Sequence, residues 1–542
     1  MAMLFDAASS PHSAVQEKPI LVLMPRVGLR PANAILSKCE AWERRLGEGN
    51  ANARFRLLAP FHLLERPKWA SENSFRENRL LSTLSGVHVY NATWGNSGLP
   101  VLAVSASTAS IPEAVSFGQR NEALLGIEAP DFDTREGQAY ALDNYALYRV
   151  ASQLAQHSGG RVVFCHGWQV FEAGLRLKKE LGLKCVFCFP STEKHAARMH
   201  GRHPSRGVVG REYAALSNAD AIIASRDYAT LESLHRHYAP SQEFSRSKPE
   251  LAIGLAKAAG AVGLSSERSV LYAVATSPVS AIEEKRAALS RIKKIDLLLS
   301  EMGVKRDSLA LTAGAVSAIP PAFESKPAMV HPARANDALG RMRGAIALSG
   351  SVPPCDDFLY ASFDNAGANN VDAIFAGLSL VPHGVGMVVK PSEAVGEQEL
   401  AEAAERHGVS DRVVVMPPAW EESHAMAVAR AIVLAGIPDS ETLSNARAAV
   451  KAAEFLGRPT PAILPLGSAL PAMHHVNLDG ASASGLISAV ASGEGEIASK
   501  LMAASKHLLL HNWSADDEAR HYALIADELA GVPLRESKSL FK

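Results

Sequence analysis

Four residues in the first third of the chain, His166-Gly167-Trp168-Gln169, have the types and spacing of a ligand contact. An imidazole exchanges protons near neutral pH. An indole offers a broad apolar face with one donor, and a carboxamide offers both donors and an acceptor. These residues follow the apolar run Val162-Val-Phe-Cys165. A helix-patterned stretch, Val170–Gly182, and a second apolar run, Lys184–Phe189, come after them. The order reads as strand, loop, helix, strand. In an open α/β sheet, ligands bind just beyond the carboxyl ends of the strands, and there His166, Trp168 and Gln169 fall. Each also has a plainer reading, a satisfied core histidine for His166 and a packing aromatic for Trp168.

The rest of the chain supplies the elements to position such a site. Short apolar runs at Ile20–Met24, Phe55–Pro60, Val87–Asn91, Leu99–Val104 and Ala221–Ser225 read as strands. Periodic stretches at Ala32–Leu46, Gln138–Gln156, Glu212–Leu216 and Asp227–His237 read as helices. The mixed segment Tyr238–Ser265 reads as a domain junction. A second series then begins with a strand at Ser269–Val274 and a strongly periodic helix at Ala281–Met302. Strands at Phe358–Ala361, Ser379–Val381, Met387–Lys390, Val413–Met416, Ala431–Leu434 and Ala462–Leu464 alternate with helices at Glu397–His407 and Asn445–Phe455. Residues 315–354 are rich in Pro, Ala and Ser and read as an insertion. A last helix runs from Ser514, with Asp516 and Asp517 in its first turn, to Leu529. Strands alternating with helices imply parallel pairing through right-handed crossovers.

A chain of 542 residues with 47% apolar and 20% charged residues is too long for one ordinary core, so two or three domains are expected. A net charge of -1 excludes a nucleic-acid-binding field. The five cysteines, Cys39, Cys165, Cys185, Cys188 and Cys355, are no disulfide framework. Cys185 and Cys188 have CxxC spacing, but alternation sends them to opposite faces of a strand, which is wrong for zinc. His195, His200 and His203 lack carboxylate or cysteine partners in their polar loop, so no metal is expected. Residues 1–18 do not read as a secretory signal, and no run of eighteen apolar residues predicts a membrane span. These features together read as a reduced, cytoplasmic protein.

Taken in order, several segments resemble the glycogen/starch synthase-type retaining glycosyltransferases. Val162–Gln169 resembles that family's strand and His-Asp-Trp-Gln loop. Glu212 with Asn218-Ala-Asp-Ala-Ile-Ile-Ala-Ser225 resembles its Glu and Ala-Asp-hydrophobic-Ser pair. Ser269–Val274 with Lys293-Lys294-Ile-Asp-Leu-Leu-Leu resembles its first C-domain strand and Lys-Gly-hydrophobic helix. Glu397–Val415, Gly457-Arg-Pro-Thr-Pro-Ala-Ile463, Asp479-Gly480 and His511-Asn-Trp513 resemble later landmarks. The resemblance implies an α/β GT-B fold: two Rossmann-like, doubly wound domains facing each other across a cleft, with a C-terminal helix crossing back to the first. The implied domains are 1–245, 246–510 with its insertion near 315–354, and 511–542.

The implied activity is retaining transfer of a hexose from a nucleotide sugar, of UDP- or ADP-glucose type, to a glycan or small acceptor. The alternative is a GT-B pseudoenzyme acting as a binding or scaffolding subunit. No cofactor is implied, and a protein partner or homo-oligomer stays open. By this resemblance His166 is catalytic, Gly28, Trp168 and Gln169 bind substrate, and Lys294, Glu441 and His474 bind the donor.

The departures from the pattern are specific. The loop Arg26-Val27-Gly28-Leu29-Arg30 has one glycine where the family has a pair. Gly167 stands where the family has aspartate, and Pro190-Ser191 where it has histidine. Ala275-Thr276-Ser277-Pro278 lacks the arginine that clamps a diphosphate, leaving Lys294, with Lys293, Lys285 or Arg291 as alternatives. Of the family's two donor-site glutamates, counting from Gly457 gives Ser444 and Ala452, and counting from Pro438 gives Glu441 and Ala449. A lost charge-assisted contact costs roughly 1.5–3 kcal/mol.

Overall fold

The computed structural model describes residues 19–26, 55–61, 75–78, 81, 86–94, 99–199, 202–225, 228–238, 245–246, 248–276, 281–302, 311–313, 315–319, 333–337, 340–341, 357–363, 368–381, 384–392, 395–417, 420–435, 440–455, 462–466, 487–488 and 515–530. Gly28, His474, the expected helix Ala32–Leu46 and Ala275's successors 277–280 lie outside them.

The chain opens with strands β1 (Ile20–Leu23), β2 (Phe55–Pro60), β3 (Arg76–Glu77), β4 (Val87–Trp94) and β5 (Leu99–Ala106). Helices α1 (Ile111–Leu125) and α2 (Arg135–Ser158) lead to β6 (Val162–His166), α3 (Phe171–Leu181) and β7 (Lys184–Phe189). Then come α4 (Glu193–Met199), α5 (Arg206–Asn218), β8 (Ala221–Ser225), α6 (Tyr228–Ser233), α7 (Pro249–Thr276), α8 (Ile282–Glu301), β9 (Leu311–Ala313) and β10 (Val316–Ile319). All ten strands form one sheet in the order β3-β4-β5-β2-β1-β6-β7-β8-β10-β9. From β5 to β10 the pairing is parallel, and β3, β4 and β9 are antiparallel additions at the edges.

Both faces of this sheet are covered, so its central strands read as unbroken apolar runs. Alternation divides them between two layers. Leu21, Leu23, Cys165 and Cys185 face the core under α1, α2, α3, α5 and α7. Ile20, Val22, Phe164 and Cys188 face the opposite layer. Cys185 and Cys188 thus point to opposite faces, as their spacing predicts. Burial raises the Cys165 and Cys185 thiols above their ordinary range, so they remain protonated packing groups. Helix α3 lies hard on β6: a Cβ on Gly174 would stand 2.3 Å from the Cys165 sulfur.

Ser269–Val274 is not a strand but the last third of the helix α7. A short apolar run fits either element, and its continuity with Leu251–Ala261 decides for helix. Helix α8 buries Ala288, Ile292, Ile295 and Leu299, spaced as one helical face, and Ile295 and Leu299 join the first sheet's core. Helices α7 and α8 and strand β10 therefore pack with the first sheet, beyond the expected division at 245/246. Val316–Ile319, expected within an insertion, is a sheet strand paired with β8.

The second sheet holds β11 (Asp357–Ser362), β12 (Val385–Lys390), β13 (Val413–Val415), β14 (Ala431–Ala435) and β15 (Ala462–Leu466), all parallel, in the order β13-β12-β11-β14-β15. Helices α9 (Ala368–Ser379), α10 (Glu397–Arg406), α11 (Glu422–Val428) and α12 (Ser440–Phe455) connect them. Ser379–Val381, expected as a strand, is instead the end of α9 and its turn. The buried Arg412 donates to the carbonyls of Val381 and Val385, fixing the start of β12. The final helix, α13 (Ala515–Ala530), packs on the first sheet, with Tyr522 and Ala526 buried against Val22, Phe164 and Ile223.

Candidate functional site

In the first sheet the chain runs from β1 outward to β2 and β5, then returns to lay β6 against the other side of β1. The strand order reverses between β1 and β6, and a crevice at the carboxyl end of such a switch is where open α/β sheets bind ligands. A cavity of about 160 Å³ lies there. Pro25, beyond β1, forms one wall. The ends of β6 and β7 supply His166, Trp168, Gln169 and Ser191, and Glu193 and Glu212 close the far side.

His166 ends β6 and is 6% exposed. Its ring lies parallel to Tyr522 of α13, with centroids 5.8 Å apart and an interplanar angle of 2°. The last helix thus sets the imidazole plane. Gly167 turns the chain with φ 79° and ψ 156°, a conformation essentially reserved for glycine. Its N–H donates to the Cys188 carbonyl at 3.1 Å, and a Cβ there would stand 2.7 Å from Gln169 Oε1. The backbone, rather than any lost chemistry, accounts for glycine at this position.

Trp168 stacks on Tyr140 at 5.7 Å, and the Arg211 guanidinium covers Tyr140 at 4.6 Å. Beneath them lies a buried carboxylate, Glu172. It accepts from Arg211 Nε at 2.7 Å, from the Tyr140 hydroxyl at 3.1 Å and from Asn121 Nδ2 at 3.0 Å. Asn144 donates to the Gln169 carbonyl at 2.8 Å and accepts from the Ala173 N–H at 3.0 Å, tying the loop to the start of α3. The Arg26 guanidinium, just past β1, donates twice to Asp143 of α2, at 3.0 and 2.7 Å.

A second carboxylate pair shapes the loop after β7. Both Glu212 oxygens accept from the Glu193 N–H, at 2.9 and 3.1 Å, and the Tyr238 hydroxyl donates to Glu212 as well. Burial pushes the Glu212 carboxyl up to about 7. Glu193 in turn accepts from Arg202 Nη2 at 2.9 Å and from the Ser205 N–H at 2.7 Å. Asp220, singled out in the sequence beside Ala221, accepts from the Cys185 N–H at 2.9 Å and from Lys178, so it anchors the start of β7.

No protein-family model and no curated protein matches the chain. Solved structures do. Sucrose-phosphate synthase from Thermosynechococcus elongatus aligns over 95% of this chain and 99% of its own, with a TM-score of 0.51 at 10% identity. Anabaena HepE, in complex with UDP and glucose, aligns over 94% and 100%, with a TM-score of 0.49 at 11% identity. The catalytic domain of starch synthase IV from Arabidopsis thaliana, bound to ADP and acarbose, aligns over 95% and 99%, with a TM-score of 0.47 at 11% identity. The fold is GT-B.

In GT-B terms, the first sheet is the amino-terminal unit and the second sheet the carboxyl-terminal one. Its leading strand is β11, not Ser269–Val274. That strand leaves through Ser362 and the buried Phe363, and α9 begins Ala368-Asn369-Asn370 and carries neither lysine nor arginine. Lys294, expected on the donor side, stands instead on the exposed face of α8, a helix of the first unit, because Ile292 and Ile295 claim the inward face. Glu441 lies in the first turn of α12, just after β14.

At the carboxyl ends of the second sheet stands a cluster that motif reading passed over. Glu422 accepts from the Tyr360 hydroxyl at 2.7 Å, Lys390 Nζ at 2.8 Å and Asn445 Nδ2 at 2.9 Å. Lys390 closes the apolar run Val385–Val389. A charge ending a buried strand was the signal available in the sequence. Glu422 has none, because it lies in a seven-residue helix that is buried throughout.

Proposed function

We propose that this chain is a glycosyltransferase that moves a hexose from a nucleotide-sugar donor, of UDP- or ADP-glucose type, to a glycan or small acceptor with retention of configuration. The cavity at the β1/β6 switch point carries the reading. It is built on rigid strand ends, largely apolar in its lining, and presents the polar groups of His166, Gln169, Glu193 and Glu212 beside the Trp168 ring. The acceptor or the transferred sugar would sit there. Trp168 supplies an apolar face to a pyranose, Gln169 supplies hydrogen bonds, and His166 is the group to hold or pass a proton at the reacting oxygen. The donor would lie against the ends of β11 and β14, near Glu441. No metal or cofactor is required by this scheme.

A second reading has its own observation. With no lysine or arginine on α9, a diphosphate at the end of β11 would lack a cation from that helix as the sugar departs. A GT-B subunit that binds and scaffolds without transfer fits that loss. Incubating the pure protein with UDP-, ADP- and GDP-sugars, with and without glycan acceptors, separates the two. Transfer is expected with one donor, with His166→Ala reducing turnover at least about a hundredfold while leaving the melting transition intact. Absence of binding and turnover with every donor sinks the transferase reading.

A further inference from the structure

On the outer face of the first unit, α1, α2 and α3 enclose a groove of about 570 Å³ that shares no lining residue with the strand-end cavity, although helix α3 contributes to both. Its walls carry one guanidinium from each helix, Arg120, Arg149 and Arg176. Arg176 is 4% exposed, and its Nε, shielded from solvent, has no hydrogen-bond partner among the described residues. Across the groove, the shielded Gln153 Oε1 has none either. Buried polar atoms left unsatisfied in this way mark a store of strain, an ordered water or a place for a ligand. Glu180 is already taken by Arg176 and by the Tyr148 hydroxyl, which leaves Glu113 as the uncommitted carboxylate of the lining. The aromatic faces are committed too, since Arg176 lies over Phe117 at 5.3 Å and over Tyr148 at 5.8 Å. The groove therefore offers forked N–H donors and a positive balance, the chemistry of oxyanion recognition, rather than free ring faces for stacking. Its volume exceeds that of a lone phosphate and leaves room for an organic group.

The same arginine is wired to the strand-end cavity. Arg176 Nη1 donates to Asn121 Oδ1 at 3.2 Å, and Asn121 Nδ2 donates to Glu172 at 3.0 Å. Glu172 holds Arg211 and Tyr140, and Tyr140 carries Trp168. We propose that the groove is an effector site for a small phosphorylated metabolite, and that its occupancy is transmitted through Asn121, Glu172 and Tyr140 to Trp168. A phosphoryl group drawing Arg176 away from Glu180 shifts the guanidinium that orients Asn121, and so redistributes the donors around Glu172. No bond is made or broken, and the coupling does not depend on which sugar is transferred at the cavity.

The test uses the full chain and three probes: inorganic phosphate, glucose 6-phosphate and AMP. Each is titrated while tryptophan emission and heat are followed. At least one probe is expected to bind saturably and change the emission. The double variant Arg120→Gln/Arg149→Gln, altered at surface positions, should weaken binding by roughly tenfold or more. Trp168→Phe should keep the heat of binding and lose the emission change. Equal binding by free phosphate and the esters assigns the site to the phosphoryl group alone, whereas tighter binding of an ester adds its organic part. No saturable binding by any probe, or binding that the double variant leaves unchanged, overturns the site. Binding with no change at Trp168 overturns the coupling. Neither result bears on whether nucleotide sugars are turned over.

Discussion

At the scale of single residues, the strand-end loop is governed by backbone geometry as much as by side-chain chemistry. Gly167→Ala forces a Cβ into a glycine-only conformation and against Gln169 Oε1, 2.7 Å away. The expected loss is about 1–3 kcal/mol in urea unfolding, with the cavity reshaped around Gln169. Glu212 makes a pH prediction. Its carboxyl sits at about 7 in the folded chain, whereas an unfolded glutamate titrates near about 4.3. The folded state binds this proton more tightly, so the contribution is fully present below the unfolded value and is lost as pH rises through the folded one. Thermal unfolding should occur at lower temperature as pH rises from about 5 to 8, and Glu212→Gln should flatten that slope. Of these residues, His166, Trp168 and Gln169 were legible in the sequence because polar and aromatic types end an apolar run. The role of Glu212 was half legible: its place in a motif could be read, but not that it holds the Glu193 N–H. That contact joins two elements nineteen residues apart, and no local pattern encodes it.

At the scale of elements, the loop is only as firm as the helices beneath it. Removing one partner of a buried ion pair leaves the other charge without compensation, at a cost of about 3–5 kcal/mol. Arg211→Met should lose stability on that order, and Glu172→Gln should lose less, because the amide keeps an acceptor for Tyr140. Both should red-shift and broaden the Trp168 emission, read against Trp168→Phe. Helices α1, α2, α3 and α5 all contribute to this one network, through Asn121, Tyr140, Glu172 and Arg211. The sequence located α2 and α3 by periodicity but gave no sign that their polar residues converge. Its misreading of Ser269–Val274 has the same origin. Whether a short apolar run is strand or helix is decided by what it packs against, and here it continues an alanine-rich helix lying on the first sheet.

At the scale of the whole molecule, α13 joins the far end of the chain to the first sheet. Tyr522 is 4% exposed and stacks on Phe164 at 5.2 Å as well as on His166. Tyr522→Ala should cost about 3–5 kcal/mol, as other large-to-small aromatic substitutions do. It should also free the imidazole, so that any turnover falls further than stability alone explains; Tyr522→Phe, which keeps the ring, should restore both. The amino-acid sequence by itself determined the alternation of strands and helices, the GT-B resemblance, the opposed faces of Cys185 and Cys188 and the polar and aromatic end of β6. These follow from local periodicity and from the short-range spacing of residue types. Only the tertiary structure decided which sheet α7, α8 and β10 join, what fixes the planes of His166 and Trp168, and that Lys390 and Arg176 each meet a buried carboxylate or amide network. Such contacts unite residues far apart in the chain, and their free energy resides in burial and geometry that exist only once the layers have closed.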